Sequence, residues 1–175
     1  MRAYLIIGPA GSGKTTTGRE LQRRGYRTVD LDTVAKLVEW IDLRNSKRIL
    51  RVPKRPLSET WRHTHRRTWD PKIMHRLLAG NSDEIVYFCG GAENDRNFFD
   101  DFRKCFGLHT DNQTLTRRLE QRNDRRWGPG SKELEQLLIW NDRFTKFCNE
   151  NGVAIVDSTR SPEAVADLIL AQSDI

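Results

Sequence analysis

The sequence predicts an α/β fold of three layers: a five-stranded parallel sheet with helices on both faces. Short apolar runs at residues 3–7, 27–31, 84–89, 104–108 and 153–156 have strand length. Longer segments with helical spacing or helix punctuation stand between them, and such alternation argues for βα units on a parallel sheet. The length of 175 residues suits one folding unit spanning 1–175.

Taken in order, the first run leads into a glycine-rich turn and a helix over 14–24 that stops at Gly25. After the second strand, Val34, Leu37, Val38 and Ile41 repeat at 3.6-residue spacing and predict a helix over 33–41. Asp70-Pro71 reads as an N-cap followed by proline at the first helical position, with Ile73, Met74, Leu77 and Leu78 as the apolar face and Gly80 past the end. Ser161-Pro162 repeats that start ahead of Val165, Leu168 and Ile169. Residues 115–122 and 133–148 are helix-like and are separated by NDRRWGPGS, a turn cluster with two arginines. No internal repeat or low-complexity tract interrupts this order.

Charge is local. Residues 44–70, RNSKRILRVPKRPLSETWRHTHRRTWD, hold nine Lys/Arg against Glu59 and Asp70, a net of +7 in a chain of net +6. Local basicity points to a site for an anion. Cys89, Cys105 and Cys148 are odd in number, far apart and in no CxxC pair, which predicts reduced, mostly buried thiols of a cytoplasmic protein. The apolar N-terminal run is too short for a signal sequence, and no stretch approaches the roughly 18 apolar residues of a membrane span. Membrane and secreted classes are set aside; a monomer or homodimer is expected.

Gly8-Pro9-Ala10-Gly11-Ser12-Gly13-Lys14-Thr15 fits GxxxxGK[ST] between a predicted strand and a helix. A turn rich in glycine lets backbone N–H groups point inward at phosphate oxygens, and the helix N-terminus adds positive potential. Gly8, Gly11, Ser12, Gly13, Lys14, Thr15 and Thr16 are therefore the expected nucleotide-binding set, with Lys14 bridging β- and γ-phosphates and Thr15 completing a Mg²⁺ shell. Asp30-Leu31-Asp32 ends the second strand, where alternate residues share a face and both carboxylates can project into a cleft. Asp30 then serves the metal and Asp32 takes a proton from an acceptor hydroxyl; the alternative is that Asp32 caps a helix starting at Thr33. Gly90-Gly91 either lets backbone approach the transferred phosphate or forms a plain tight turn.

These motifs resemble the P-loop kinases of small molecules, the group that holds adenylate kinase, shikimate kinase and their relatives. GPAGSGKT is similar to their ATP loop, Asp30-Leu31-Asp32 to the Asp-x-Asp of shikimate-kinase-like members, and Cys89-Gly90-Gly91 to their third-strand glycine turn. Arg118-Leu119-Glu120-Gln121-Arg122 is similar to the RxxxR that opens the lid of nucleoside monophosphate kinases. The resemblance implies a P-loop NTPase fold, ATP and Mg²⁺ as cofactors, Arg118 on the adenine and Arg122 at the transferred phosphate. It implies a short arginine-bearing lid over about 122–131, where closure swings Arg125 and Arg126 over the phosphates. Arg143 resembles a further lid-side arginine, and Asp157-Ser158-Thr159 the loop that lines the adenine. Two arginines four apart can also form an ordinary solvated helix face.

In such a fold the basic insert, about 43–70, covers the acceptor. It lacks the acceptor signatures of true adenylate or shikimate kinases, so no substrate carries over. Three readings of it stand: a cover for a small anionic acceptor, a binder of nucleic-acid ends using Trp61, Trp69, His63 and His65 for stacking, or a solvated surface. The alternation of Trp61, His63, His65 and Arg67 fits a strand, the alternative being that the aromatics pin the insert to the core. Because an alcohol gains from a base, the carboxylate pair favours a hydroxyl acceptor, nucleoside- or nucleotide-like. The alternatives are a polynucleotide 5′-hydroxyl kinase and a regulatory module with weak ATPase activity.

Overall fold

The computed structural model describes residues 1–49, 58–80, 83–122, 128 and 130–173, with the side chains of Glu59 and Arg62 excepted. Its centre is β1 (Arg2–Ile7), flanked in parallel by β6 (Ile85–Cys89) and β7 (Lys104–His109). β2 (Arg27–Asp30) lies outside β6 and β8 (Ala154–Asp157) outside β7, so the order is β2-β6-β1-β7-β8 with every pair parallel. The five expected strands are these five.

A strand buried on both faces needs apolar residues at its buried positions, and β1 meets that need from Ala3 to Ile7. Leu5 and Ile7 enter one core with Val86, Phe88, Met74 and Phe144. Tyr4 and Ile6 enter the other with Leu21, Phe106, Val165 and Ile169. Helices α1 (Lys14–Arg23) and α6 (Pro162–Ala171) thus cover one face, while α3 (Pro71–Leu78) and α5 (Lys132–Glu150) cover the opposite one. Each fully buried Leu or Ile on β1 contributes roughly 2 kcal/mol of apolar burial. The capping signals stand as read: Asp70 accepts from Lys72 N and Ile73 N, and Ser161 accepts from Ala164 N.

Three local expectations are corrected. No helix spans 33–41: the chain turns through Lys36 at φ 63° and enters β3 (Val38–Asp42). Leu37 is buried and Val34 and Val38 pack on the same core, so the apolar spacing is that of a turn followed by a strand. The run Val-Glu-Trp-Ile is rich in β-branched and aromatic residues, and pairing with the insert overrides the helical period. Next, β2 stops at Asp30, so Asp32 lies in the following turn and not on the strand. Finally, α4 (Asn112–Glu120) ends before Arg122, which sits in the turn beyond Arg118's helix.

The insert builds a second sheet, of which the alternation through His65 and Arg67 signalled one strand and the rest went unread. β3, β4 (Lys47–Arg48) and β5 (His65–Trp69) pair antiparallel in the order β4-β3-β5, with α2 (Glu59–Thr64) leading into β5. Its aromatics pin it in place: Trp69 is fully buried against Phe98, and Trp61 stacks on His65 at 3.6 Å and packs on Trp40. Trp61, Trp69 and His65 are therefore not free as platforms for bases.

Candidate active site

The loop between β1 and α1 is shaped by close approach. A Cβ on Gly8 would stand 2.5 Å from Ser12 Oγ and 2.9 Å from the Leu108 carbonyl, so only glycine fits without a shift. Gly13 takes φ 103° at the start of α1, where no side chain caps the helix. The first-turn N–H groups are thus left for a ligand. Ser12 is fully buried, and its Oγ has no hydrogen-bond partner. Such an orphan in a glycine cradle fits a bound phosphate oxygen. Lys14 Nζ meanwhile donates to the carbonyls of Gly8 at 2.6 Å and Pro9 at 3.0 Å. Burial pushes its pKa down to about 8; Asp32 pulls it up, and Arg122 and Arg67 press it further down.

Opposite the loop stand the carboxylates. Asp30 Oδ2 accepts from Thr15 Oγ1 at 3.4 Å, so the two residues expected at a metal lie side by side. Asp30 Oδ1 accepts from Asp32 N at 3.0 Å. Because no helix starts at Thr33, Asp32 caps none. Its Oδ1 instead accepts from Arg67 Nη2 at 2.6 Å, while Arg67 Nη1 donates to the Gly91 carbonyl at 2.8 Å. Gly90 N donates to Ile6 O at 3.1 Å, which holds the glycine turn beside the end of β1.

Arg67, one of the nine basic residues of the insert, stands beside Asp32, a place that the sequence reading, which named it only in an alternation, did not assign. The readable signal was His65-x-Arg67-x-Trp69, an alternation that puts Arg67 on the face of a core tryptophan. The other described arginines of the insert are matched with carboxylates: Arg44 with Asp42, Arg48 with Glu39 and Arg66 with Glu93. Those acids lie outside residues 44–70, so among the described residues part of the charge counted along the chain is balanced in space.

On the far side of the loop a cavity of about 290 Å³ is lined by Gly11, Ser12, Gly13, Thr16, Arg118 and Arg122, together with Ser158 and Arg160. Arg118 Nη2 donates to Ser158 O at 2.8 Å, which ties α4 to the loop after β8. Asp157 orders that loop by accepting from Thr159 N and Oγ1. Arg160, which reaches Asp157 at 3.4 Å, is a second residue the sequence did not single out. Arg122 is exposed at the rim, Arg143 is exposed on α5, and Arg125 and Arg126 lie outside the described residues.

A parallel sheet of this order, with a glycine loop and a lysine at the end of its central strand, defines a P-loop phosphotransferase of the small-molecule kinase group. The AAA domain family model matches residues 5–138, and the chain belongs to that family. Shikimate kinase 2 of Enterobacter sp. (strain 638) is 28% identical over 177 residues, covering 95% of this chain and 92% of that protein. Among solved structures, shikimate kinase from Acinetobacter baumannii in complex with shikimate superposes with TM-score 0.58 at 17% identity, covering 97% of this chain and 91% of its own. A gluconokinase from Sinorhizobium meliloti 1021 gives TM-score 0.54 at 16% identity, covering 97% and 89%. Both share the fold. Among the described residues no helix is long and apolar enough to cross a membrane.

Proposed function

We propose that the protein moves the γ-phosphate of Mg-ATP to a hydroxyl of a small anionic acceptor, a hydroxy carboxylic acid. The observation that carries this reading is Arg67 beside Asp32: a proton acceptor and a guanidinium share one spot, with the Gly91 carbonyl on the guanidinium's other arm. A hydroxyl next to a carboxylate would use both groups. One guanidinium suits a carboxylate in bidentate fashion. The relative that is 28% identical over nearly the whole chain is a shikimate kinase, which supports the same acceptor class.

Bound Mg-ATP would supply the transferred phosphoryl group and the cation that offsets its charge. Gly8, Gly11, Ser12, Gly13 and Thr16 would hold the phosphates, and Thr15 with Asp30 would hold the metal. Arg118 would serve the base, and Lys14, Arg122 and Arg126 would neutralise charge on the moving group. Asp32 would take the hydroxyl proton as the acceptor oxygen bonds to the γ-phosphorus and the bond from that phosphorus to the β–γ bridging oxygen breaks, ADP leaving with the electron pair, while Arg67 would orient the acceptor.

The test is transfer of label from γ-labelled ATP into separate pools of hydroxy acids (shikimate, gluconate), nucleosides, nucleotides and 5′-hydroxyl oligonucleotides. Label in the hydroxy acids is the expected outcome. Label only in nucleosides or nucleotides would return the acceptor to that class, and label only in oligonucleotides would make it a polynucleotide kinase. Binding of ATP with no labelled pool would leave a regulatory module. Lys14→Ala should abolish transfer, and Asp32→Asn should cut kcat by about 10²- to 10⁴-fold while ATP affinity stays within about twofold.

A further inference from the structure

β5 is the edge strand of the small sheet, and an edge strand presents main-chain N–H and C=O groups that something must satisfy. Here Glu93 and Asn94, the residues just past the Gly90-Gly91 turn, do so. Arg67 N donates to Glu93 Oε1 at 3.2 Å, and Glu93 N donates back to Arg67 O at 2.9 Å. Two residues along the strand, Trp69 N donates to Asn94 Oδ1 at 2.8 Å, and Asn94 Nδ2 donates to Trp69 O at 3.0 Å. The carboxamide of Asn94 thus takes the place of a strand residue, offering one acceptor and one donor to the same peptide edge.

The chemistry restricts the residue type. Aspartate keeps the acceptor for Trp69 N and loses the donor for Trp69 O; leucine loses both. A buried tryptophan at one end of the clasp leaves β5 little room to slide, and Arg67 sits two residues away on the same strand. The same turn supplies the Gly91 carbonyl that Arg67 grips. The clasp therefore joins the acceptor-side cation and the glycine turn into one piece.

We propose that Asn94 is a positioning residue for phosphoryl transfer: its carboxamide holds β5 in register with the glycine turn and so sets where Arg67 stands between Asp32 and Gly91. This rests on reading Arg67 and Asp32 as the acceptor site. A residue that only capped a sheet edge would affect stability, with no selective effect on the acceptor and no dependence on Arg67.

The experiment uses the full chain with Asn94→Leu and Asn94→Asp, each alone and combined with Arg67→Gln. Shikimate and gluconate are the probe acceptors, calorimetry gives Mg-ATP affinity, and ¹⁵N spectroscopy follows the Arg67 guanidinium without any acceptor. Asn94→Leu is expected to raise acceptor KM about tenfold with ATP affinity within twofold. Asn94→Asp should fall between it and the wild type, and in the Arg67→Gln background the Asn94→Leu effect should shrink below twofold. Rotation of the Arg67 guanidinium should quicken several-fold in Asn94→Leu. Equal losses for acceptor and ATP, full additivity with Arg67→Gln, or an unchanged guanidinium signal would overturn the proposal. If the wild type phosphorylates neither probe, the acceptor-class reading fails by itself, and the guanidinium signal alone still decides the role of Asn94.

Discussion

Lys14 is held by its own loop in a place that disfavours its charge. Its pKa of about 8 lies below the 10.5 of an ordinary lysine, so between these pH values the unfolded chain binds more protons than the folded one. The sign follows: stability rises with pH across that window, and below it the folded protein bears the whole burial penalty. Lys14→Met should therefore stabilise the ligand-free protein at pH 7 by an amount on the order of 3 kcal/mol, and the gap should close as pH approaches 10.5. Urea unfolding at a series of pH values measures it; a gap independent of pH would mean that the amine is not buried as described. At this scale the sequence singled out Lys14, Thr15, Asp30 and Asp32 because their chemistry is tied to a motif, and the fold sets Thr15 beside Asp30. Arg67 was given no place at the site, because a count of charges carries no direction. Only the fold tells a guanidinium aimed at Asp32 from one paired with Glu93.

The elements divide the same way. The three inner strands of the main sheet were legible because strands buried on both faces are nearly continuous apolar runs, whereas β2 and β8 at the sheet's edges gave weaker ones. The small sheet was legible only at β5, because its strands are short and because Val34, Leu37, Val38 and Ile41 happen to meet helical spacing as well. The loop between β1 and α1 gives a sharp prediction: Gly8→Ala forces a methyl against Ser12 Oγ and the Leu108 carbonyl. The loop must move, and Mg-ATP affinity should fall at least about tenfold, a change of roughly 1.4 kcal/mol. Calorimetric titration checks this. Gly25→Ala serves as a control, since its Cβ would meet nothing within 4 Å and only its φ of 91° is strained. Retained affinity in Gly8→Ala would show that the loop tolerates the shift.

At the scale of the molecule, the insert's charge and the thiols both change meaning once folded. Acids from β3, from the turn after β2 and from the turn after β6 pair with the described arginines of the insert, and among these Arg67 is the one that meets Asp32. Cys89, Cys105 and Cys148 are buried and unpaired, and desolvation pushes each up to about 12. Since the thiolate is the nucleophile, a thiol reagent at pH 8 should titrate far fewer than one group in the native protein and all three after denaturation. Rapid native reaction would place a cysteine at the surface.

The position of β1 has a consequence for how the chain assembles. Ala3 pairs with Val86 and Tyr4 with Lys104, so the strand that carries the glycine loop meets no neighbour in the sheet until the chain beyond residue 84 is present. The β3–β5 pairing joins residues far closer in sequence, from Val38 with Trp69 to Asp42 with His65, and local pairings form with less loop-closure entropy. During synthesis the strands of the small sheet would thus be able to pair with one another while β1 still waits for its neighbours.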